Sequence, residues 1–487
     1  MTLSYIPSDT NDEGIFKANA SGSLPNGKPV VVNADGTVSV VGSTAVSQAI
    51  GSAAVFESAA TGVGGIGSAF DSNLNKIIVA YRDGGNSNYS TAVVGTVDAS
   101  DNSISFGTPA VFESSAGQDF SPAFDSNSNK VVIVYTGAND YGRSVVATVS
   151  GTDIAFGSSV IFYSGVATLD SAVFDSSSNK IVIAYKDNSN SSIGKAIVGT
   201  VSGSSISYGS AVTWTSSAVQ YLSIAFDSSN NKVVISAQVG NYGKSIVGTV
   251  SGTSISFGSI TTFDTDIYAG WTSTAFDSIN NKIVVAWRIY AGGWYGKAIV
   301  GSVSGTNISF GDVVTYASST ITSVSATFDS NTGTVVVSYR DEGNSNKGTF
   351  VTGTVSGTDI SFTSPTVFEG NSTTSITSSF DSNSNKVVIA YQDAGNSDYG
   401  TARVVQPPGS IPNLTSENYI GISTGGTYAS GSNATIKIIG NTSNEQTSLT
   451  AGQAYYVQTD GTLGTTAADP SVFAGTAISA TRLIVKT

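Results

Sequence analysis

The chain has no cysteine and no histidine, and its single methionine is Met1. Without cysteine it cannot form disulfides, thiolate zinc sites or a cysteine nucleophile, and without histidine the Ser-His and histidine acid–base mechanisms are excluded. Thiols and thioethers are also the side chains that oxidise most readily. Their near absence fits a particle that persists outside a cell, and a compositionally biased genome is the alternative explanation.

Charged residues are scarce as well, at 11% of the chain, against roughly 25% in ordinary soluble domains. The 21 basic and 34 acidic residues give a net charge of −13, which disfavours binding to phosphate backbones and predicts no nucleic-acid partner.

No uninterrupted apolar run approaches the roughly 18 residues of a membrane span. Residues 1–16 show no basic region followed by an apolar core. We therefore expect no membrane insertion, and synthesis in the cytoplasm without a signal peptide.

A phrase of the form Phe-Asp-Ser-x-x-Asn-Lys, followed by an apolar run, recurs along the chain. Its seven copies lie 50 to 54 residues apart and begin at Phe70, Phe124, Phe174, Phe226, Phe276, Phe328 and Phe380. The sixth copy departs from the pattern, with Thr332, Gly333 and Thr334 where the others approach Asn-Lys. Periods of this length with several strands per unit indicate a β-propeller, because the rungs of a β-helix are much shorter.

Each unit predicts four strands, A to D. Strand A ends in the Phe-Asp phrase, and strand B is a run such as Val131–Tyr135, apolar on both faces as in a strand sandwiched between sheets. Strand C is Thr91–Val97 or its counterpart, and strand D is an Ile-Ser-Phe-Gly segment with the Val-Phe that follows. Because Asp and Asn stabilise tight turns, the Asp-Ser-x-x-Asn segment predicts the corner between A and B. The predicted fold class is all-β, with a seven-bladed β-propeller at residues 43–406.

The seventh unit lacks a strand D of its own, and residues before the first unit resemble the missing strand. Ser47–Ser58 aligns with Ser103–Ser114, which contains the strand D of the first unit. Pairing this early strand with the last blade closes the ring and leaves no long exposed edge. Closure by this strand also brings the two ends of the ring together.

The segments on either side of the ring resemble each other. Ser23–Val38 aligns without a gap with Ser448–Leu463, and 7 of 16 positions are identical. Each predicts a strand, an Asp-Gly hairpin and a second strand, although Asp-Gly-Thr hairpins also recur by chance in Gly-rich β proteins. We interpret residues 1–42 and 413–487 as the two halves of one small β-sandwich or barrel-like docking domain, with the propeller inserted between them. Residues 407–412 form a Pro-rich linker.

The flanking segments also carry a resemblance to a known group of proteins. The matching segments are Ala20–Pro25, Asn33–Thr37, Asn418–Ser423, Gly452–Gln458 and Pro470–Ala477. They resemble virion structural proteins of tailed bacteriophages, particularly marine phages, in which a small β-domain decorates the particle. The resemblance implies a capsid decoration or a head or tail fibre-like appendage, located in the virion as a homo-oligomer with other capsid or tail proteins as partners. It brings no catalytic residue and no cofactor.

Aromatic residues depart from the repeat in one part of the ring, and they are the candidates for a binding site. All four tryptophans lie in the fourth and fifth blades. Trp214 and Trp287 replace the Phe and Tyr of the strand pattern and are expected in the core, whereas Trp271 and Trp294 are expected in loops. Exposed aromatic rings in loops are typical contacts for sugar rings or protein anchors, and the alternative is that these rings fold back to cover the blade. The candidate contacts for a host-surface glycan are Tyr221, Asn241, Tyr242, Asp266, Tyr268, Trp271, Tyr290, Trp294 and Tyr295.

The alternative function is a tail-associated glycan-processing enzyme of the glycosidase or sialidase type, which needs two carboxylates about 5–9 Å apart. Acids of the same predicted face are Glu57, Asp83, Glu113, Asp119, Asp341, Glu369 and Asp393. Several of them occupy repeated positions, and a catalytic pair should instead be unique, so we expect no catalytic residue.

Three of the predicted A–B corners, those that begin at Asp71, Asp125 and Asp381, imitate the opening of a calcium loop. Asp125, Asn127 and Asn129 have the spacing of the first three ligands, but Lys130 stands where such loops need glycine. No glutamate closes the loop either. The pattern therefore predicts a hairpin corner and no metal site.

Overall fold

The computed structural model describes residues 14–266, 268–290, 293–467 and 470–486. Residues 1–13, which form most of the segment searched for a secretory signal, lie outside the described residues. The chain divides into two compact units, Ser47–Gly409 and the combination of Met1–Val46 with Ser410–Thr487. Among the described residues, the helical elements are short 3₁₀ turns, and no helix is long and apolar enough to cross a membrane. These turns are Ala138–Asp140, Asn188–Asn190, Glu342–Asn344 and Ala394–Asn396.

The larger unit, Ser47–Gly409, is the predicted seven-bladed β-propeller, and each blade is an antiparallel sheet of strands A to D. Strand A lies within Ala54–Asp71, Gln118–Asp125, Val160–Asp175, Val212–Asp227, Gly270–Asp277, Ile321–Asp329 and Thr366–Asp381. Strand B is Lys76–Asp83, Lys130–Thr136, Lys180–Asp187, Lys232–Val239, Lys282–Ile289, Thr334–Asp341 and Lys386–Asp393. Strand C is Tyr89–Asp98, Tyr141–Ser150, Ile193–Ser202, Tyr242–Ser251, Tyr295–Ser304, Lys347–Ser356 and Tyr399–Gln406.

Strand D is interrupted into two short strands that both pair with strand C. The first is Ser103–Phe106, Asp153–Phe156, Ser205–Tyr208, Ser254–Phe257, Asn307–Phe310, Asp359–Phe362 and, in the last blade, Ala49–Ile50. The second is Ala110–Glu113, Thr261–Asp264 or Val314–Ala317 in three blades. In the other four blades it runs without interruption into strand A of the following blade, which explains the longer strands given above.

The hydrophobic core lies between the blades. Strand B is buried on both faces because alternate side chains contact opposite neighbours. In the first blade, Ile78 packs in a cluster with Ile133 of the second blade, whereas Val79 packs in a cluster with Ala390 of the seventh. This two-sided burial accounts for the uninterrupted apolar runs of the sequence.

The A–B corners are hairpin turns held by their own aspartate. Oδ1 of Asp125 accepts hydrogen bonds from the backbone N–H groups of Asn127 at 2.9 Å and Ser128 at 3.0 Å. Asn129 follows with a φ of 53°, a left-handed conformation that asparagine tolerates better than most residues. In the sixth copy Gly333 occupies this position with a φ of 66°. The irregular sequence there therefore preserves the same turn.

The ring is closed by the strand that the sequence predicts. In the last blade, Val405 of strand C pairs with Ile50, and Thr401 pairs with Val55. Strand A is the inner strand of each blade. Strand A of the last blade also contacts strand A of the first, so the inner strands form a continuous circle.

A belt of serine hydroxyls links neighbouring inner strands. Oγ of Ser273 in the fifth blade accepts a hydrogen bond of 2.8 Å from the backbone N–H of Ala326 in the sixth. The serines that make this contact are Ser121, Ser223, Ser273 and Ser325. Because the partner is a partly buried backbone group on another blade, each serine ties two blades together.

The smaller unit contains two five-stranded antiparallel sheets. The order of the first is Ile15–Asn19, Asn433–Lys437, Tyr419–Thr424, Pro29–Val32 and Val38–Val40. The order of the second is Thr442–Ser443, Arg482–Val485, Val472–Ser479, Ala454–Val457 and Leu463–Gly464. Side chains of both sheets, among them Val31, Tyr419, Tyr455 and Leu483, share one buried cluster. A separate pair of strands joins Ser43–Val46 to Gly409–Pro412, so part of the Pro-rich segment is a strand.

The two sheets are structural copies of each other. Val30 pairs with Gly421 in the first and Tyr455 pairs with Gly475 in the second, in the register of the sequence alignment. Gly421 and Gly475 have similar φ values, 151° and 154°, and a Cβ atom at either would collide with a backbone carbonyl oxygen. The two hairpins that are similar in sequence belong to different sheets. Residues after the ring complete the first sheet and form the whole of the second.

Candidate functional site

Strand A carries a bulge near its start in every blade. Two residues on strand A stand opposite one on strand B; in the fifth blade Trp271 and Thr272 stand opposite Trp287. The first bulged residue is left-handed at Asp119, Tyr221, Trp271, Ser323 and Ser375, with φ between 47° and 55°. Bulges redirect side chains out of the regular alternation of a strand. In these five blades the repeat therefore varies in the side chain at the bulge position.

In the fourth and fifth blades the bulge position holds a large aromatic residue. Tyr221 and Trp271 stack with ring centroids 4.8 Å apart and an interplanar angle of 25°. The sequence analysis expected Trp271 in a loop, and this was wrong, because the residue lies within strand Gly270–Asp277. The bulge gives it the outward direction that a loop was expected to provide.

Arg288 joins Trp271 to the loop between strands B and C. Its guanidinium carbon lies 4.0 Å from the centroid of Trp271 and 4.1 Å from that of Trp294. Trp294 in turn lies 4.3 Å from Tyr290, and Tyr290 meets Tyr268 edge-on at 6.3 Å. We call the row Tyr221, Trp271, Arg288, Trp294, Tyr290 and Tyr268 the aromatic stack. Two cation–π contacts hold the guanidinium in place.

The charge of Arg288 has few partners. The residue is 9% exposed, and among the described residues its buried Nε donor has no hydrogen-bond partner. Nη1 donates one long bond of 3.4 Å to the carbonyl oxygen of Ile321. Burial lowers the pKa of Arg288 from its ordinary value, while Tyr221 and Glu342 act in the opposite direction. No carboxylate among the described residues lies within 4.0 Å of this guanidinium.

The outer end of the stack is open to solvent. Tyr268 is 47% exposed and Tyr290 is 50% exposed. The backbone N–H of Tyr268 donates to the carbonyl oxygen of Asn241 at 3.0 Å, which brings the loop of the fourth blade to this end. Asp266 is also exposed, and its backbone N–H donates to Asp264. The exposed rings and polar groups thus share one edge of the site.

Two of the candidate residues lie apart from the stack. Tyr242 is exposed, and its ring faces the Lys244 ammonium at 6.0 Å. Tyr295 packs against the buried cluster around Phe263 and Trp287 and is part of the core between blades. Trp287 is fully buried, and Trp214 is 7% exposed, as expected for the core.

The acids of the candidate face are used in hydrogen bonds between and within the blades. In four blades a buried aromatic residue of strand B donates a hydrogen bond to an acid on strand D of the preceding blade. These pairs are Tyr81 with Glu57, Tyr135 with Glu113, Trp287 with Asp264, and Tyr391 with Glu369. In the sixth blade Ala317 takes the place of the acid, and the buried hydroxyl of Tyr339 has no partner among the described residues. Asp83 and Asp393 accept backbone bonds in the turn after strand B.

The residue that sequence reasoning missed is Arg288. It follows Trp287 at a position that is Arg82 in the first blade and Arg340 in the sixth, so it is not apparent as a departure from the repeat. Its place between two tryptophans depends on the bulge at Trp271 and on the B–C loop at Trp294, which are not apparent from spacing alone. No group of acids that could hold a metal ion occurs among the described residues.

No family model matches the chain, and no curated protein matches it in sequence. The BP39L lectin from Burkholderia pseudomallei is similar in structure over 74% of this chain and 99% of its own, with 10% identity and a TM-score of 0.54. A protein from Lactobacillus plantarum (66% and 95% coverage, 12% identity, TM-score 0.46) and a β-propeller domain from Myceliophteria thermophila (72% and 99%, 7%, 0.47) also match. At this identity the lectin likeness shows the propeller fold alone.

Proposed function

We propose that the protein is a glycan-binding display protein whose propeller contacts sugars through the aromatic stack. The observation that carries this proposal is the stack itself, which breaks the repeat in the fourth and fifth blades and ends in two half-exposed tyrosines. Structural side chains follow the repeat, as the tyrosine–acid pairs do, whereas a binding site is expected to depart from it. That a lectin shares the fold is consistent with this proposal.

The proposed contacts are apolar stacking and neutral hydrogen bonds. The apolar faces of sugar rings pack on aromatic faces, and Tyr268 and Tyr290 offer hydroxyl groups at their exposed ends. Asn241 and Asp266 lie at the same edge and supply amide and carboxylate groups for sugar hydroxyls. Stacking depends little on ionic strength, because salt screens exposed charges only.

We further propose that the smaller unit attaches the protein to a tailed-phage virion, as a capsid decoration or a head or tail fibre-like appendage. The support is the resemblance of its segments, including Asn33–Thr37 and Gly452–Gln458, to phage virion proteins. Both segments contribute to the duplicated hairpins of this unit. In this proposal the propeller faces the host surface, and other virion proteins bind the smaller unit.

A glycan-processing enzyme is the second candidate. Glu369 and Asp393 interact, and their pKa values move apart: burial and the charge of Glu369 raise that of Asp393, whereas hydrogen bonds outweigh burial and lower that of Glu369. Separated pKa values can assign acid and base roles. Both residues are only 5% exposed and are hydrogen-bonded inside the propeller, Glu369 to Tyr391 of the next blade and Asp393 to its own turn, which supports a structural role better. Release of reducing ends from a bound glycan would favour the enzyme.

The test of glycan binding removes both tryptophans of the stack. Trp271 and Trp294 have φ values of 47° and 56°, so replacing both by glycine removes the rings and also relieves backbone strain. We expect wild-type protein to bind members of an immobilised panel of neutral and acidic glycans, and the double variant to lose this binding. Ser375→Gly changes the same bulge position in the seventh blade and should bind as wild type does. Equal binding by the double variant would exclude the stack as the site.

A further inference from the structure

The position of Arg288 is repeated around the ring: it is basic in three other blades, at Arg82, Lys186 and Arg340, and neutral in the remaining three. In the second blade the hydroxyl of Thr136 donates to the carbonyl oxygen of Ala167 at 3.3 Å. In the seventh blade the side-chain amide of Gln392 donates to the carbonyl oxygen of Thr61. Both acceptors lie at the start of strand A of the next blade. The carbonyl oxygen of Ile321, which accepts the hydrogen bond from Arg288, lies at the equivalent place. A neutral donor therefore meets the structural requirement at this position, and the positive charge of Arg288 is not needed for it.

The guanidinium of Arg288 has room for a further hydrogen-bond partner. Trp271 and Trp294 both contact it, with ring centroids 4.0 and 4.1 Å from its carbon. Its Nε is a buried donor without a partner among the described residues, as are those of Arg82 and Arg340 at the equivalent positions. Burying a charge is unfavourable unless it is paired, and the described residues supply no carboxylate at ion-pair distance. A partner from outside the chain would complete the site.

We infer that the glycan bound at the aromatic stack is acidic, with a sugar carboxylate accepting hydrogen bonds from Arg288 while the sugar ring packs on the neighbouring aromatic rings. The inference rests on the proposed glycan-binding function and adds the class of sugar. A guanidinium presents parallel N–H donors that match the two oxygens of a carboxylate. The two tryptophans fix its orientation before the ligand arrives, which reduces the entropy lost on binding.

The test compares two ligands that differ only at the carboxyl group. Oligogalacturonate and its methyl ester have the same sugar ring, and their affinities for the full-length protein can be measured by isothermal titration calorimetry. We expect wild-type protein to prefer the acid by roughly tenfold or more, the range of a charge-assisted hydrogen bond. In Arg288→Gln, which copies the residue of the seventh blade, this ratio should fall to about one.

Control variants separate loss of charge from loss of fold. Arg340→Gln changes the equivalent residue of the sixth blade and should keep the wild-type ratio. Arg288→Lys keeps the charge without the planar fork and should retain only part of the preference. Melting curves of each variant verify folding. If Arg288→Gln is destabilised, the ratio of the affinities of Arg288→Lys for the acid and the ester becomes the deciding measurement.

Three outcomes would overturn the inference. Equal affinity of wild-type protein for acid and ester would refute the acidic ligand while leaving glycan binding intact. Equally tight binding of dextran sulfate and oligogalacturonate would show general anion attraction instead of carboxylate recognition. If the wild-type protein bound no member of the glycan panel and neither oligogalacturonate form, the proposed function itself would fail.

Discussion

The tyrosine–acid pairs allow a matched test of what holds the blades together. In the seventh blade the buried hydroxyl of Tyr391 donates a 2.8 Å hydrogen bond to Glu369, which also forms an ion pair with Arg403 at 3.0 Å. In the sixth blade the hydroxyl of Tyr339 has no partner because Ala317 replaces the acid. Replacing each tyrosine by phenylalanine removes the same oxygen atom from equivalent positions. Only Tyr391→Phe also removes a hydrogen bond.

The expected costs differ because one hydroxyl is bonded to a carboxylate and the other is unbonded. A hydrogen bond to a charged group contributes about 1.5–3 kcal/mol, and Arg403 keeps the carboxylate of Glu369 paired in the variant. We therefore expect Tyr391→Phe to lower the free energy of unfolding of the propeller by about 2 kcal/mol. Tyr339→Phe removes a buried polar atom without a partner, so its effect should be close to zero or slightly stabilising.

The assay is denaturant unfolding followed by tryptophan fluorescence. All four tryptophans lie in the propeller, so this signal reports its unfolding separately from that of the smaller unit. Burial disfavours the charge of Glu369, but hydrogen bonds from Tyr391, the backbone of Asn371 and Arg403 outweigh it, and the pKa of Glu369 lies below its ordinary value. The stabilisation is therefore complete above the unfolded pKa of about 4.3 and is lost as pH falls through the folded value.

The difference between wild type and Tyr391→Phe should accordingly be largest near neutral pH and should shrink in acid. Equal losses of stability in Tyr391→Phe and Tyr339→Phe would refute the reasoning, because the cost would then follow the deleted atom and not its bond. A pH-independent difference would show that the charge of Glu369 does not contribute.

Two further predictions concern how the ring is held closed. Deleting residues 47–58 exposes the edge of the last strand C, Tyr399–Gln406, and should lower the melting temperature of the propeller; an unchanged melting temperature would contradict closure by this strand. Ser273→Ala leaves the N–H of Ala326 without its acceptor and should cost about 1–3 kcal/mol in denaturant unfolding. Ser278→Ala, at an exposed corner, is the control, and equal effects of the two changes would argue against the serine belt.

The sequence predicts well the features that recur in every blade. The Phe-Asp motif, the apolar strand B and the A–B corner each follow from local conformation, and seven copies make the pattern unambiguous. Even the irregular sixth copy follows physically, since Gly333 adopts the left-handed turn that asparagine adopts elsewhere. Closure was predictable for the same reason, because the strand before the first unit resembles a strand D.

The candidate site was only partly predictable. The aromatic residues were apparent as departures from the repeat, but Trp271 was placed in a loop because a bulge has no clear sequence signal. Tyr295 begins strand C, as tyrosine does in four other blades, and it packs into the core, whereas Tyr290 follows strand B and is half exposed. Arg288 acquires its surroundings from two separate elements, strand A and the B–C loop. Contacts of this kind depend on tertiary structure and cannot be derived from spacing.

The duplicated sheets of the smaller unit give a direct comparison of two connections in one protein. In the second sheet, seven residues separate Gly464 from Val472, and in the first sheet the equivalent connection from Val40 to Tyr419 contains the whole propeller. The entropic cost of closing a loop rises only slowly with its length, and a folded insert with adjacent ends adds less still. A duplicated scaffold of this kind can exchange the domain it carries without redesigning its own core. The second sheet keeps the short connection, while the first accommodates an inserted domain.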